Sequence, residues 1–398
     1  MGRRDILIIS PFADLPSEAA NCRYFYLANL LMQEEDVSVE LALSSFSHLK
    51  KAPRNTAWQP EAGFRVTYID EPGYPKNVSL QRFRSHHIMG QNLRNYLDKR
   101  AVPDVVFCAV PSLDAAKAAA EYCQKHHVRF IIDVQDLWPE AFQMVFHVPV
   151  ISDILFAPFR KQADYIYSRA DDIVAVSQTY VDRAARVNTK GGQREVVYLG
   201  TKLQDFDKNR CQEPHDDGLI HLGYVGTLGH SYNITCILEA LALLRKQGHT
   251  NIVFDIMGNG PLMEEFQHKA KELDVPATFH GRLPYHEMVY RLTRCDVAVN
   301  PITKGAAQSI INKVGDYAAA GLPVISTQEC PEYRNLVQER KLGFNCDNDD
   351  VADIAQKILT LAKDAALRAE MGANNRCLAE ERFDRMTSYQ VLLKMLLE

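Results

Sequence analysis

Lys313 and Asp316 stand three residues apart in the stretch KGAAQSIINKVGDYAAAGLPVIST, Lys304 to Thr327. That spacing puts an ammonium and a carboxylate on nearly one face of a helix. The helix they would share runs from Asn312 to Ala320. Gly321 at the C′ position and Pro323 two residues on are its stop signals, and Pro323 to Thr327 reads as a buried strand. A polar, glycine-containing loop feeds the N-terminus, where free backbone N–H groups and the positive dipole end favour an anion. A lysine in the first turn gains nothing from that dipole, so Lys313 makes most sense as the partner of a bound anion. Gln308, eight residues before Asp316, falls in the loop. A diphosphate held beside a carboxylate that grips sugar hydroxyls would fit. The same residues also fit a surface helix carrying one i,i+3 ion pair.

Ligands of open α/β sheets sit beyond the carboxyl ends of the strands, and three further loops qualify. Gly226-Thr227-Leu228-Gly229-His230-Ser231-Tyr232-Asn233 follows a strand ending at Val225 and could cradle phosphate with its N–H groups. It is neither a Walker A sequence nor GxGxxG, and a strand-to-helix turn capped by Ser231 or Asn233 explains it as well. Gly258-Asn259-Gly260-Pro261 would let a ligand approach the backbone, with Pro261 suited to helix N1; a tight turn is the simpler account. Asp133-Val134-Gln135-Asp136-Leu137-Trp138-Pro139-Glu140 sets three carboxylates beside a tryptophan that could orient a sugar. Asp136 could act there as base or acceptor-orienting group, unless Trp138 is core and Glu140 a first-turn helix acid. Pro75 to Arg100 carries Lys76, Arg82, Arg84, Arg94, Lys99 and Arg100 with Tyr74, Phe83 and Tyr96. It could meet anionic lipid or a lipid diphosphate, or form a solvated helix face. The paired histidines, His86-His87 and His126-His127, lack metal spacing and read as surface or helix residues; no metal site is expected.

The elements that would position these residues alternate. Strands are expected at Ile6 to Ser10, Val37 to Leu43, Arg65 to Tyr68, Val105 to Cys108, Arg129 to Asp133 and Asp172 to Val176. Helices are expected at Asn21 to Gln33 and Ala115 to His126. This is the pattern of βαβ units on a parallel sheet. Residues 190–215 are rich in glycine, charge and breakers and read as a linker. The alternation restarts with strands at Ile220 to Val225, Ile252 to Met257, Ala277 to His280 and Val297 to Asn300, and helices at Ile234 to Lys246 and Leu262 to Leu273. Helices at Asp353 to Ala362 and Leu367 to Glu398 close the chain. With 398 residues, two domains are the prior.

Net charge is −5. Acidic and basic residues balance over residues 1–200, so the excess acid lies in the remainder. Neither half is strongly basic, which argues against nucleic acid as a partner. The 9 cysteines include no CxxC pair, which suits reduced thiols in a cytosol. The N-terminus passes straight into a strand pattern, and no run is apolar and long enough to cross a membrane.

Taken together the chain resembles a family-four (GT4) glycosyltransferase. The resemblance rests on YVGTLGHSYN, FDIMGNGP, CDVAVNP and NKVGDYAAAGLPVIS in the C-terminal half, and on NCRYFYLANLL, SSFSHLKK and VQDLWPEA in the N-terminal half. The last three look like a bacterial subgroup that builds capsular or O-antigen polysaccharide. The resemblance implies a GT-B fold, two Rossmann-like doubly wound α/β domains facing a cleft. Residues 1–205 would bind the acceptor, joined by 380–398 as the last helix crosses back, and 206–379 would bind a nucleotide-sugar. It implies retaining, metal-independent transfer without a cofactor, from a UDP-linked donor to a lipid-linked saccharide, at the cytoplasmic face of the inner membrane.

The family's E-x7-E motif falls on Gln308 and Asp316, with the second position on the nucleotide ribose. Its arginine and lysine after the first strand of the C-terminal domain fall on Thr227 and Tyr232, so two cations are missing. Lys313, the helix N-terminus and Ser231 would compensate. The histidine common after the 129–133 strand is absent, with Gln135 or Asp136 near its place. The expected catalytic set is Asp136, Lys313 and Gln308. The donor set is Gly226, Thr227, Ser231, Tyr232, Gly258, Asn259, Gly260, Arg282, Ser309, Asn312, Lys313 and Asp316. The acceptor set is Asn21, Arg23, Gln135, Trp138 and Glu140. Two rival readings remain on this fold: a nucleotide-sugar epimerase, and a non-catalytic subunit that binds another transferase.

Overall fold

Strands covered by helices on both faces have no solvent side, so they read as unbroken aliphatic runs. Ile6–Ile9 and Val105–Val110 are such runs, and all are buried. The computed structural model describes residues 3–18, 22–61, 63–77, 79–141, 151–213, 217–306 and 309–398. The chain divides into two units, Met1–Val197 with Tyr389–Glu398, and Tyr198–Ser388.

The first unit holds β1 (Arg4–Ile9), β2 (Val37–Ser44), a short antiparallel hairpin of β3 (Phe46–Ser47) and β4 (Ala52–Pro53), β5 (Arg65–Ile69), β6 (Val105–Val110), β7 (Arg129–Val134), β8 (Asp172–Ala175) and β9 (Arg194–Val196). Its main sheet is parallel in the order β5-β2-β1-β6-β7-β8-β9. The terminal helix Gln390–Leu397 belongs to this unit. Tyr389, Leu392 and Leu396 are buried in its core with Ile6 and Ile8, and Arg4 and Arg129 donate to the carbonyls of Leu396 and Met395.

The second unit holds β10 (Ile220–Val225), β11 (Ile252–Met257), β12 (Ala277–Gly281), β13 (Val297–Asn300), β14 (Val324–Ser326) and β15 (Gly343–Asn345). These form a parallel sheet in the order β12-β11-β10-β13-β14-β15. Helix Ile234–Lys246 starts at Asn233, whose side chain accepts from the Cys236 N–H, and buries Ile234, Ile237, Leu238 and Leu241.

Several expectations shift. The stretch expected as a linker contains the edge strand β9 and a helix, Leu203–Lys208, and the first unit ends at Val197, earlier than 205. The expected tail helix from Leu367 is broken. A π-helical segment, Ala379–Phe383, separates Ala365–Leu378 from Arg385–Ser388, and the chain rejoins the first unit only at Tyr389. A helix forms at Leu80–Leu97, within the stretch read as a solvated helix face or an anion-binding segment; further helices form at Ile151–Arg169, Gln178–Ala185, Tyr285–Leu292 and Pro331–Glu339.

Candidate functional site

In the second unit the strand order reverses at β10, flanked by β11 on one side and β13 on the other. That is the switch point at which such sheets bind ligands. The loops after β10 and β13 leave from it and are bonded together. Asn233 N–H donates to Pro301 O at 2.8 Å and Thr303 N–H to Ser231 O at 3.0 Å. Tyr232 and Ile302 form an antiparallel bridge.

Helix Lys313–Ala320 is anchored at the same point. The Tyr317 hydroxyl accepts from Val225 N–H at 3.0 Å and donates to Val299 O at 3.1 Å, tying the helix to the ends of β10 and β13. Gly321 closes the helix in the left-handed region, φ 71°, with its N–H on Tyr317 and Ala318 carbonyls. The N-cap, Asn312, makes no side-chain cap; the Val314 and Gly315 amides instead donate to Ile311 O and Asn312 O, both at 3.1 Å.

Lys313 is buried, and its Nζ has no hydrogen-bond partner. It lies 3.8 Å from the Tyr232 ring centroid and 4.0 Å from that of Tyr224. Ring faces attract a cation, while burial pulls this amine well below the ordinary lysine range. Gly226, at φ 142°, makes room for it, since a Cβ there would lie 2.7 Å from Nζ. The ion pair with Asp316 considered from the sequence does not form. Asp316 instead accepts from the Tyr285 hydroxyl at 3.0 Å, which in turn meets Thr201 at 2.9 Å. Burial lifts Asp316 to about 6. The surface-helix reading therefore gives way: Lys313, Val314, Gly315 and Tyr317 are all buried.

Gly258 and Gly260 have a reason other than ligand approach. A Cβ at Gly258 would sit 1.8 Å from Gly226 O, and one at Gly260 would sit 2.3 Å from Leu228 O. The two loops run backbone against backbone, with Leu228 N–H on Asn259 O and Leu262 N–H on Leu228 O, both at 3.0 Å. Pro261 is not at helix N1, because that helix begins at Met263. Thr227, Ser231, Asn259, Arg282 and Asn312 are exposed. Ser309 O accepts from the buried Gln328 side chain at 2.6 Å, and Gly305 N–H donates to Glu329 at 2.7 Å. Gln328, Tyr224, Tyr285 and Tyr317 thus hold the site, and sequence reasoning missed them. Tyr224 and Tyr317 carried a signal, an aromatic within a largely apolar strand and helix; Gln328, in the loop after β14, and Tyr285, at the start of a polar helix, carried none. Gln308 lies outside the described residues, as does Asn21.

In the first unit the expected acceptor residues separate. Arg23 and Asp133 form a buried bidentate pair, Nε–Oδ2 2.8 Å and Nη2–Oδ1 3.1 Å. Arg23 also donates to Val197 O and Tyr389, and Asp133 accepts from Tyr24. Both are committed to joining α1 (Arg23–Leu31), β7 and the terminal helix, which corrects the expectation of an acceptor contact for Arg23. Glu140 is tied to Arg183 at 2.6 Å. Gln135 and Asp136 remain half-buried at the end of β7, and burial raises the Asp136 carboxyl. Trp138 is buried, with its Nε1–H on Asp136 at 3.2 Å. His86 lies in the helix Leu80–Leu97, one of the two placements expected, and is buried there with its ring stacked on Trp138. A cavity of about 440 Å³ is lined by Asp5, Glu40, Arg65, Tyr96 and Arg100, whose charges are paired with one another. Among the described residues no cluster of His, Cys, Asp or Glu could hold a metal, and no helix is long and apolar enough to cross a membrane.

Residues 205–377 match the family model described as Glycosyl transferases group 1. The chain is 24% identical over 244 residues to "Probable glycosyltransferase WbjE" of Pseudomonas aeruginosa, covering 58% of this chain and 59% of the relative. It is 25% identical over 156 residues to a Campylobacter jejuni GalNAc-α-(1→4)-GalNAc-α-(1→3)-diNAcBac-PP-undecaprenol α-1,4-N-acetyl-D-galactosaminyltransferase, covering 39% of this chain and 42% of the relative. The matches span less than two thirds of either relative. The crystal structure of Anabaena Alr3699/HepE in complex with UDP and glucose superposes with TM-score 0.68 at 15% identity over 99% of both chains. The chain thus has a two-domain α/β fold that matches GT-B glycosyltransferase structures, and its residues 205–377 are similar to the group 1 glycosyl transferases.

Proposed function

We propose that the chain is a retaining glycosyltransferase. It moves a sugar from a UDP-linked donor to a lipid-linked saccharide in bacterial surface polysaccharide synthesis, at the cytoplasmic face of the membrane. The observation that carries this reading is Lys313, a buried side-chain amine without a hydrogen-bond partner at the switch point of the second unit. The relative that acts on a diphospho-undecaprenol saccharide supports the acceptor class, and the UDP and glucose complex of the Anabaena protein supports the donor class.

The diphosphate gains charge as the sugar bond breaks, so donors aimed at it stabilise the transition state. Lys313 is that donor, helped by the positive dipole end of its helix. In the resembled family a cation stands at the position of Tyr232; here the Lys313 ammonium lies 3.8 Å from that ring, so it comes from the helix instead. Asp316 holds the ribose hydroxyls, with Gly226, Thr227, Ser231, Gly258, Asn259, Gly260, Arg282, Ser309, Asn312 and Gln308 around the donor. Asp136 and Gln135 orient the acceptor hydroxyl, whose proton passes to the leaving phosphate oxygen on the same face. No metal ion is then required. The chain incubated with UDP-sugars and a lipid-diphosphate saccharide should give a glycosylated product in the presence of chelator. No transfer across a panel of donors, together with no nucleotide binding, would count against the reading.

Thr227 and Tyr232 in place of two cations favour one alternative, a nucleotide-binding subunit without turnover. Nucleotide binding with no product in every donor–acceptor pair would select it.

A further inference from the structure

Beyond the carboxyl ends of β1, β2, β5 and β7, the first unit assembles a cluster that the reading above leaves unused. The His86 ring stacks on Trp138 at 5.6 Å and 18°. The Arg82 guanidinium lies 4.5 Å over the same indole, and Phe12 lies 5.3 Å from His86. His48 Nδ1 lies 2.5 Å from the Tyr74 hydroxyl and 3.3 Å from Lys51 Nζ, and Lys51 rests 4.8 Å over the Tyr74 ring.

The charges of this cluster do not balance. Among the described residues neither Lys51 nor Arg82 has a carboxylate within ion-pairing distance. The two nearest acids are otherwise engaged. Asp136 accepts from Trp138 and Leu137, and Glu71 accepts from Ser44 and Ser85. Arg82 and His86 are both more than nine-tenths buried, yet Arg82 Nε and His86 Nε2 have no partner. Burial, with Lys51, Arg82 and Arg54 nearby, holds His48 down to about 4. Burial, with Arg82, His48 and Lys51, holds His86 down to about 3. Arg82 and His86 also sit in the first two turns of helix Leu80–Leu97, whose dipole adds positive potential. Phe12, His48, Lys51 and Asp136 form a half-buried rim.

We infer that this cage of Arg82, Lys51, His48 and His86 between the Trp138 and Tyr74 rings binds a phosphate or diphosphate ester, the anionic end of the acceptor. Arg82 and Lys51 hold the phosphate oxygens, a task that suits a guanidinium fork and an ammonium. The rings flank the group the phosphate carries. An arriving anion favours the charged imidazole, so His48 takes up a proton on binding. The acceptor role rests on the transferase reading; the anion site itself stands without it.

Titration calorimetry of the full chain with inorganic pyrophosphate, geranyl diphosphate and glucose 1-phosphate, with and without UDP, tests this. Expected is saturable binding that UDP does not displace and that Lys51→Gln and Arg82→Gln each weaken at least about tenfold, the loss of one charge-assisted bond. Tighter binding of geranyl diphosphate than of pyrophosphate would identify a lipid headgroup; equal binding of glucose 1-phosphate would identify a sugar phosphate. Either supports the site. In the wild-type chain, pyrophosphate should also move the His48 ring titration upward by NMR, which needs no variant to fold. No saturable binding of the three probes, binding that UDP competes away, or an unchanged Lys51→Gln affinity would overturn the inference. Loss of UDP binding with the cage still occupied would sink the nucleotide reading and leave this one intact.

Discussion

Replacing Lys313 by Met should separate stability from affinity. The free chain buries the Lys313 amine without a hydrogen-bond partner, and an unsatisfied buried polar group costs about 1–3 kcal/mol. The two rings at 3.8 and 4.0 Å offset part of that, at roughly 0.5–1 kcal/mol each. Methionine keeps the aliphatic length and removes both effects, so stability should change by between about −1 and +2 kcal/mol. The bound chain differs. There the ammonium donates to a phosphate oxygen, and losing a charge-assisted bond of about 1.5–3 kcal/mol weakens UDP about 10- to 150-fold. Protonation adds a second signature. Burial holds the Lys313 amine well below its ordinary 10.5. The unfolded chain therefore binds this proton more tightly, and the stability owed to this group rises with pH between the folded and unfolded values. A phosphate reverses the preference, so UDP binding takes up a proton and weakens as pH rises through the free-chain value of Lys313. Denaturation of both proteins, with UDP calorimetry in two buffers of different ionisation heat, measures all three effects. A UDP affinity unchanged in the Met variant, or a variant much less stable than wild type, would make Lys313 a packing residue and refute the reasoning.

Gly258→Ala places a Cβ 1.8 Å from Gly226 O, so the two loops must part; thermal unfolding should show a loss of about 1–3 kcal/mol, and UDP affinity should fall with it. A variant with wild-type melting and affinity would show that the loops need not touch. Arg23→Ala leaves the fully buried Asp133 carboxylate without its cation and should cost about 3–5 kcal/mol in urea unfolding; a loss under about 1 kcal/mol would contradict a structural role for the pair. Burial lifts Asp316 from 3.8 to about 6, so the folded chain binds this proton more tightly. The stability owed to this group is full below 3.8 and is lost as pH rises through about 6. Asp316→Asn should flatten that part of the stability–pH curve, and an unchanged curve would show that the carboxyl is not the group titrating there.

What the sequence made legible was whatever local pattern encodes. Ile220–Val225, Ile252–Met257 and Val297–Asn300 form strands at the expected limits because they are short, largely apolar runs that alternate with helices and are bounded by turn residues. Gly321 stops the helix that carries Lys313, as its position predicts. What was not legible depends on partners far along the chain. Nothing near Arg23 announces Asp133, and nothing near His86 announces Trp138. The same holds for Gln328 on Ser309 and for the Tyr232 ring beside an ammonium contributed from Lys313. The edge strand Arg194–Val196 lies in a charged stretch because it needs only one paired side and little burial.

The most direct measurement is a crystal structure of the chain with UDP bound. The account predicts a phosphate oxygen within about 3 Å of Lys313 Nζ, at hydrogen-bond distance, with the ribose against Asp316. UDP bound elsewhere, or an ammonium still enclosed by Tyr224 and Tyr232 with no phosphate contact, would contradict it.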